Sequence, residues 1–557
     1  MFSSWDWGVV ILYLIGMVTV GIYMSRGQTS KRDYFLGGRN LSWWMVGLSI
    51  VATETSALTF IGVPAMAIGV LKIDGSGMYF TEGGDLLFMQ IAIGYVIARV
   101  IVAFKMVPHY YRGDVYTPYQ VLTRAFGPQP RYLSAGLSVF NMILQAGFRV
   151  YVTAIPVMIV MRTVFPEWGI WYSILLFTAI SILYTSIGGI TAVVWTEMIQ
   201  FFIFFFGGLF AMLYIPTLLQ GDMAAPSGAT GWGAVFEVSR EKLAYFHSGL
   251  VTMAPDQGFG AWIWANVKEI FGGRFNIWMG LIGATVGIMV SHGVDQLNVQ
   301  RVLACKDEKG GRNALILSAL IIFPQFLVFL LVGAGLYAYY SINGFDFSGM
   351  GPWDPRTVDA ATGFGAPKAD YIFPIFIVTH MPPVVKGFMI AGILAAAMSS
   401  LASALTAISS VAIMDLWRPL TGKSGEQRGE LAMGRWGTLV VGLLLVFVAW
   451  AAKDADLIFN LVFQFAGIFS GALLGAVLFG MWTKAGHATP VMTGMIVSSI
   501  VMAVIVIATM TIEHFGINWP WYSFIGTSVC LIVCYLLSMG QTKPTDRSID
   551  RPTEEEI

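Results

Sequence analysis

Residues 491–511 read VMTGMIVSSIVMAVIVIATMT, an unbroken run without a single Asp, Glu, Lys, Arg or His. A helix needs roughly 20 apolar residues to cross a bilayer core. No water reaches that depth, so every backbone N–H and C=O must be satisfied within the segment, which a helix achieves. Residues 439–450 repeat the pattern, and similar runs recur along the 557-residue chain. Composition agrees: 56% of residues are hydrophobic and only 11% charged, whereas a soluble domain carries about a quarter charged residues. The short alternating strands of a transmembrane barrel are absent from the pattern. The chain therefore reads as an all-α, polytopic membrane protein.

Apolar runs place thirteen spans near 5–25, 41–70, 83–107, 132–160, 169–187, 191–219, 276–302, 313–340, 383–415, 433–451, 456–482, 488–511 and 520–540. Two connections, about 220–275 and 341–382, are long and rich in Gly, Pro and aromatics. Residues 1–540 thus read as a single transmembrane domain, followed by a polar, disordered cytoplasmic tail at 541–557. Residues 1–7 lack a basic n-region and a cleavage site, so they read as the start of the first span and not as a removable signal. Arg26, Lys31, Arg32 and Arg39 fall in the first loop, Lys105, Arg112, Arg124 and Arg131 in the third. Arg301, Lys306, Lys309 and Arg312 flank the seventh loop, and Arg418, Lys423, Arg428 and Arg435 the ninth. With Lys484 and the tail, one side collects 20 of the 32 Lys and Arg residues, against 10 on the other. The positive-inside rule then sets the N-terminus outside and the C-terminus inside, as an odd number of spans requires.

Several chemistries are excluded. The net charge is zero, which suggests no nucleic-acid partner. Three cysteines make no disulfide framework. The six histidines are never paired at metal or haem spacing. No Walker motif, nucleophile elbow or CxxC occurs, leaving no reactive constellation for an enzyme.

Polar residues inside the spans carry the function. In the second span Thr53, Glu54, Thr55, Ser56 and Thr59 fall mid-membrane, followed by Gly62 and Pro64. Such a helix breaks halfway, freeing backbone oxygens that line a cavity or hold a ligand. The alternative is a proline kink with hydroxyls bonded back to their own helix. The ninth span carries Ala396, Ser399, Ser400 and Ser403, with Ser399 and Ser403 one turn apart on one face. Two hydroxyls there, joined by carbonyls of a broken neighbour, suit sodium; equally, each serine can bond the carbonyl four residues earlier. In the seventh span Asp295 and Arg301 read more naturally as a polar cytoplasmic helix end than as a second break. Arg149, inside the fourth span, either pairs with a fixed carboxylate such as Glu54 or awaits an anionic ligand. Glu197, at the cytoplasmic start of the sixth span, reads locally as a solvated surface carboxylate.

The stretch Asp33-Tyr34-Phe35-Leu36-Gly37-Gly38-Arg39, then Gly188-Gly189 with Val194-Trp195-Thr196-Glu197-Met198-Ile199-Gln200, resembles the sodium:solute symporter family. Asp295-Gln296, Val299-Gln300-Arg301, Ser399-Ser400-Leu401-Ala402-Ser403 and Met414-Asp415 extend the resemblance from about 33 to about 485. It implies a LeuT-type core of two inverted five-helix repeats, about 41–219 and 276–482 here. It implies a sodium site from the carbonyls of Ala52, Thr55 and Ala396 and the hydroxyls of Ser399 and Ser400. Glu197 and Ser403 are candidates for a second sodium, although the family usually has Asp where Glu197 stands. Around the solute it suggests Thr53, Glu54, Ser56, Thr59, Gln90, Arg149 and Gln464. Gln464 matches a family glutamine, and Arg149 resembles a carboxylate-binding arginine of sialic-acid-type members. Ile288 stands where sugar carriers show Asn, and their Lys in the next span has no counterpart. The expectation is a sodium-coupled importer of a small organic solute, by preference a carboxylate. It would sit in the cell membrane, work as a monomer and need no cofactor beyond sodium. A sugar or other neutral solute, or proton coupling through Glu54, are the alternatives.

Overall fold

The computed structural model describes residues 2–539 apart from 25, 27–29, 56, 70, 75–76, 81–83, 113–114, 163–164, 166, 221–224, 345–371, 423–426, 452–457, 484–485 and 513–515. Helix fills each apolar run. In chain order these are α1 (Ser4–Met24), α2 (Trp43–Glu54), α3 (Ala57–Ile68), α4 (Phe88–Ile101), α5 (Pro128–Arg162), α6 (Ile170–Tyr214), α7 (Thr285–Gly293), α8 (Gln296–Leu303), α9 (Glu308–Asn343), α10 (Val385–Val411), α11 (Gln427–Ala451), α12 (Ile458–Trp482), α13 (Ala488–Thr511) and α14 (Pro520–Met539). Eight described helices are long and apolar enough to cross a membrane alone, and a ninth if α2 and α3 count as one bent span. The all-α expectation misses one feature, an antiparallel hairpin of β1 (Leu71–Asp74) and β2 (Gly77–Phe80) directly after α3. Its alternation Leu71-Lys72-Ile73-Asp74 has the period of a strand but is too short to stand out beside the spans.

Burial orders the helices. The span containing α10 is 94% buried, against 22% for α1 and 28% for α14. Small residues make α10 the centre, because Ala395, Ala396, Ala397, Ser399, Ala402 and Ser403 let neighbours approach closely. It packs most extensively on α6, while α12, α13 and α14 pack among themselves. On α1, Leu12 and Ile15 stay exposed, as a lipid-facing helix requires.

Glycine sets two decisive geometries. α6 turns at Gly189, whose φ of 53° and ψ of −155° break the helix where the sequence places the boundary between spans five and six. Gly94 on α4 meets Gly280 in the π-helical turn Met279–Ala284 that precedes α7; a Cβ on either would overlap the backbone of the other segment. That contact fixes the rotation of α4 against the start of α7.

Candidate functional site

The second span breaks where its polar cluster predicts. α2 ends at Glu54, Thr55 leaves helical space at φ −80° and ψ 73°, and the axis turns by 57° before α3 continues. Ser56 lies outside the described residues. Thr55 Oγ1 donates back to Val51 O at 2.9 Å and accepts from Gln325 Nε2 on α9. Facing this break, Ser399 Oγ on α10 stands 3.2 Å from Ala52 O and 3.2 Å from its own Ala396 O. Ser400 Oγ also reaches Ala396 O at 3.2 Å. Four neutral oxygens from two elements therefore meet in one buried group, and Thr55, at the break itself, is buried as well. Neutral hard oxygens at close range are what a monovalent cation such as sodium needs.

One turn further along α10 lies a charged cluster. Glu197 on α6 and Arg301 on α8 are both 0% exposed and paired, with Arg301 Nη2 2.6 Å from Oε1 and Nε 3.0 Å from Oε2. Thr53 Oγ1 lies 3.2 Å and Ser403 Oγ 2.5 Å from Glu197 Oε1, and Ser49 donates to Oε2. Arg301 Nη2 also donates to Ser403 Oγ. This corrects two local readings: Glu197 is not a solvated surface carboxylate, and Arg301 does not belong to a wet helix end. The residue number reports depth along the span, but four elements close over the pair. The seventh span, against the preferred reading, is interrupted at Val294, with Asp295 capping α8 through Leu297 N at 3.0 Å.

Glu54 is held elsewhere. Arg99 Nη2 ion-pairs with its Oε2, and His292 Nε2 lies 3.2 Å from its Oε1. The expected alternative of an Arg149–Glu54 pair is therefore wrong; Arg99, lying inside the third apolar run, takes that role. Its signal was of the same kind as that of Arg149, an arginine inside an apolar run. Among the described residues no carboxylate lies within 4 Å of the Arg149 guanidinium, which feels Asp295 and Tyr95 only at longer range. Arg149 lines a small cavity with Gln145, Thr153, Leu297, Ser400 and otherwise apolar side chains. Of the other expected solute contacts, Thr53 serves Glu197, and Thr59 Oγ1 bonds Glu54 O at 3.0 Å. Gln90 is spent on His247, donating to its carbonyl at 3.0 Å and accepting from its amide at 2.9 Å. Gln464 lies on α12, but its side chain is outside the described residues.

The family model for the sodium:solute symporter family matches residues 34–498. The chain belongs to that family. This symporter is 25% identical over 537 residues to the sodium/sialic acid symporter NanT of Aliivibrio fischeri, covering 96% of this chain and 93% of that one. It is 26% identical to the sodium/iodide cotransporter of Homo sapiens, over 89% of this chain and 68% of the relative. The sodium/glucose cotransporter of Vibrio parahaemolyticus is 26% identical over 88% of this chain and 83% of its own. Among solved structures, a substrate-bound outward-open Na+-coupled sialic acid symporter superposes with a TM-score of 0.77 at 22% identity, covering 98% of this chain and all of that one. At that identity the likeness establishes the fold, a LeuT-like helical core. The symporter is a sodium-coupled, multi-pass membrane carrier.

Proposed function

We propose that the symporter imports a small organic anion, held by its carboxylate on Arg149, together with sodium by alternating access. One observation carries the reading: Arg149, without a carboxylate partner among the described residues, lines the same cavity as Ser400. Desolvated guanidinium groups in a membrane core demand an anion, and a planar carboxylate satisfies two donors at once. Sodium occupies the group formed by the Ala52, Thr55 and Ala396 carbonyls and the Ser399 and Ser400 hydroxyls. Because Ala52 sits on the broken span and Ser399 on α10, an ion between them favours the conformation in which the two stay apposed. Solute and ion then stabilise the same state, which is the requirement for coupling. The inward potential adds about 2.3 kcal/mol per charge per 100 mV. Sialic acid symporters and the sodium-coupled monocarboxylate transporter 2 of Bos taurus, 23% identical, are relatives whose names carry organic acids.

Glu54 is ion-paired to Arg99, which counts against the proton-coupled alternative. We place the N-terminus outside and the C-terminus inside, take residues 1–540 as one transporter domain in the cell membrane, and assign thirteen spans with repeats at 41–219 and 276–482. The transport cycle needs no catalytic step, no cofactor and no second copy. At Glu197 and Ser403 a second sodium would have to sit beside the Arg301 guanidinium already bonded to both. The decisive test is sodium-driven uptake of radiolabelled carboxylates in proteoliposomes. Arg149→Gln is expected to lower carboxylate uptake at least about 100-fold through lost affinity, while leaving sodium-induced thermal stabilisation in place. Uptake at the wild-type rate by that variant discards Arg149 as the anion site.

A further inference from the structure

Glu54 is the residue immediately before Thr55 and two after Ala52, so chain connectivity keeps its carboxylate within about 10 Å of the backbone oxygens assigned to sodium, while its side chain turns toward α4 and α7. An unpaired negative charge there would dominate the ion's energy, because a charge acts far more strongly in a low-dielectric interior than in water. It is not unpaired. Arg99 on α4, fully buried, ion-pairs Oε2, and its guanidinium lies 5.5 Å from the centre of the Tyr95 ring. His292, at the end of α7 beside the second break, offers Nε2 3.2 Å from Oε1 and places Nδ1 3.3 Å from Ile288 O. None of Glu54, Arg99 and His292 lines the cavity shared by Arg149 and Ser400. The cluster is therefore not part of the anion site. It joins the breaks of both interrupted spans.

We propose that Arg99 is an internal counter-cation that sets the symporter's sodium affinity by neutralising Glu54. With the pair intact, sodium meets neutral oxygens and a nearly balanced local field, so it binds weakly enough to be released. With Arg99 uncharged, Glu54 becomes a counter-charge for sodium. With Glu54 uncharged, Arg99 becomes a cation repelling it. Arg99 is a positioning and affinity-setting residue acting through Glu54; it touches neither ion nor solute. The inference rests on the sodium site assigned above.

Its signature is a pair of opposite shifts, which a simple structural latch cannot give. The probe is sodium chloride, titrated against choline chloride at constant ionic strength and pH 8.5 onto purified full-length protein, with thermal stabilisation as the readout. Glu54→Gln is expected to raise the half-saturating sodium concentration about tenfold or more, and Arg99→Gln to lower it about tenfold. The double variant Glu54→Gln/Arg99→Gln returns to within about threefold of wild type, as does Arg99→Lys, which keeps the charge. If both single variants weaken sodium binding, the pair only holds the helices together and the proposal falls. If Arg99→Gln does not fold, Arg99→Lys against Glu54→Gln decides it: equal weakening in both overturns it. An unchanged sodium response in Ser400→Ala is a separate outcome that removes the sodium site itself, and this proposal with it.

Discussion

Cutting the Glu197–Arg301 pair gives the sharpest quantitative expectation. Both side chains are 0% exposed, and the carboxylate receives Arg301 at 2.6 and 3.0 Å in addition to Ser49, Thr53 and Ser403. Glu197→Ala therefore strands a guanidinium whose remaining partners are the Ser49 and Ser403 hydroxyls and the Leu297 carbonyl. Removing one partner of a buried pair costs about 3–5 kcal/mol. Replacing both with apolar groups of similar size is often close to neutral, because neither charge must then leave water. Glu197→Met/Arg301→Met should accordingly be more stable than Glu197→Met alone by about 2 kcal/mol or more, a non-additivity read from the double-mutant cycle completed by Arg301→Met in detergent unfolding titrations. A Glu197→Ala protein within about 1 kcal/mol of wild type would refute a sealed pair. The same geometry speaks to stoichiometry. With Arg301 bonded to both carboxylate oxygens and to Ser403, sodium activation of transport should follow a Hill coefficient of about one. A coefficient near two that falls to one in Ser403→Ala would show a second ion seated beside the arginine, against this reasoning.

Two further outcomes follow from the surroundings of single groups. Cys305, between α8 and α9, is 0% exposed, and burial first, with the Asp307 charge second, pushes its thiol up to about 12. Its folded state thus favours the protonated form: that contribution to stability is whole below the unfolded thiol range near pH 9 and is lost as pH rises toward 12. At pH 8 only about one part in 10⁴ is thiolate, so maleimide should leave Cys305 unmodified in the native protein and label it after denaturation, as peptide mapping will show. The second concerns the solute. In the cavity, Thr153 Oγ1 already bonds Arg149 O at 2.7 Å and Ser400 bonds Ala396 O, leaving Arg149 and Gln145 to meet a ligand. Each ligand hydroxyl buried without a partner costs about 1–3 kcal/mol. A carboxylate with an apolar body should therefore outcompete a polyhydroxylated acid of similar size in sodium-driven uptake; the reverse order would show that polar groups elsewhere complete the site.

The helical runs, the broken second span and the small-residue face around Ser399 were legible because each is local: periodicity, a polar cluster, a stripe one turn apart. Pairing was not. Glu54 and Arg99 are 45 positions apart, Glu197 and Arg301 104 apart, and nothing in an apolar run states which face meets which neighbour. The sequence offers Glu54 as one possible partner for Arg149 and leaves Arg99 unweighed, and the structure gives Glu54 to Arg99. A clue to the right answer was nevertheless present in the glycines. Gly94 and Gly280 allow α4 to press against the turn before α7, since any side chain at either would collide with backbone. Arg99 lies five positions beyond Gly94, and His292 twelve beyond Gly280. Those glycines let the two helices lie in close contact, and Arg99 and His292 both reach the carboxylate left where α2 stops. Contact between small residues sets the rotation, and rotation decides which charges pair. In a membrane core, where an unpaired charge is costly, that geometry also decides which arginine remains available to an anion.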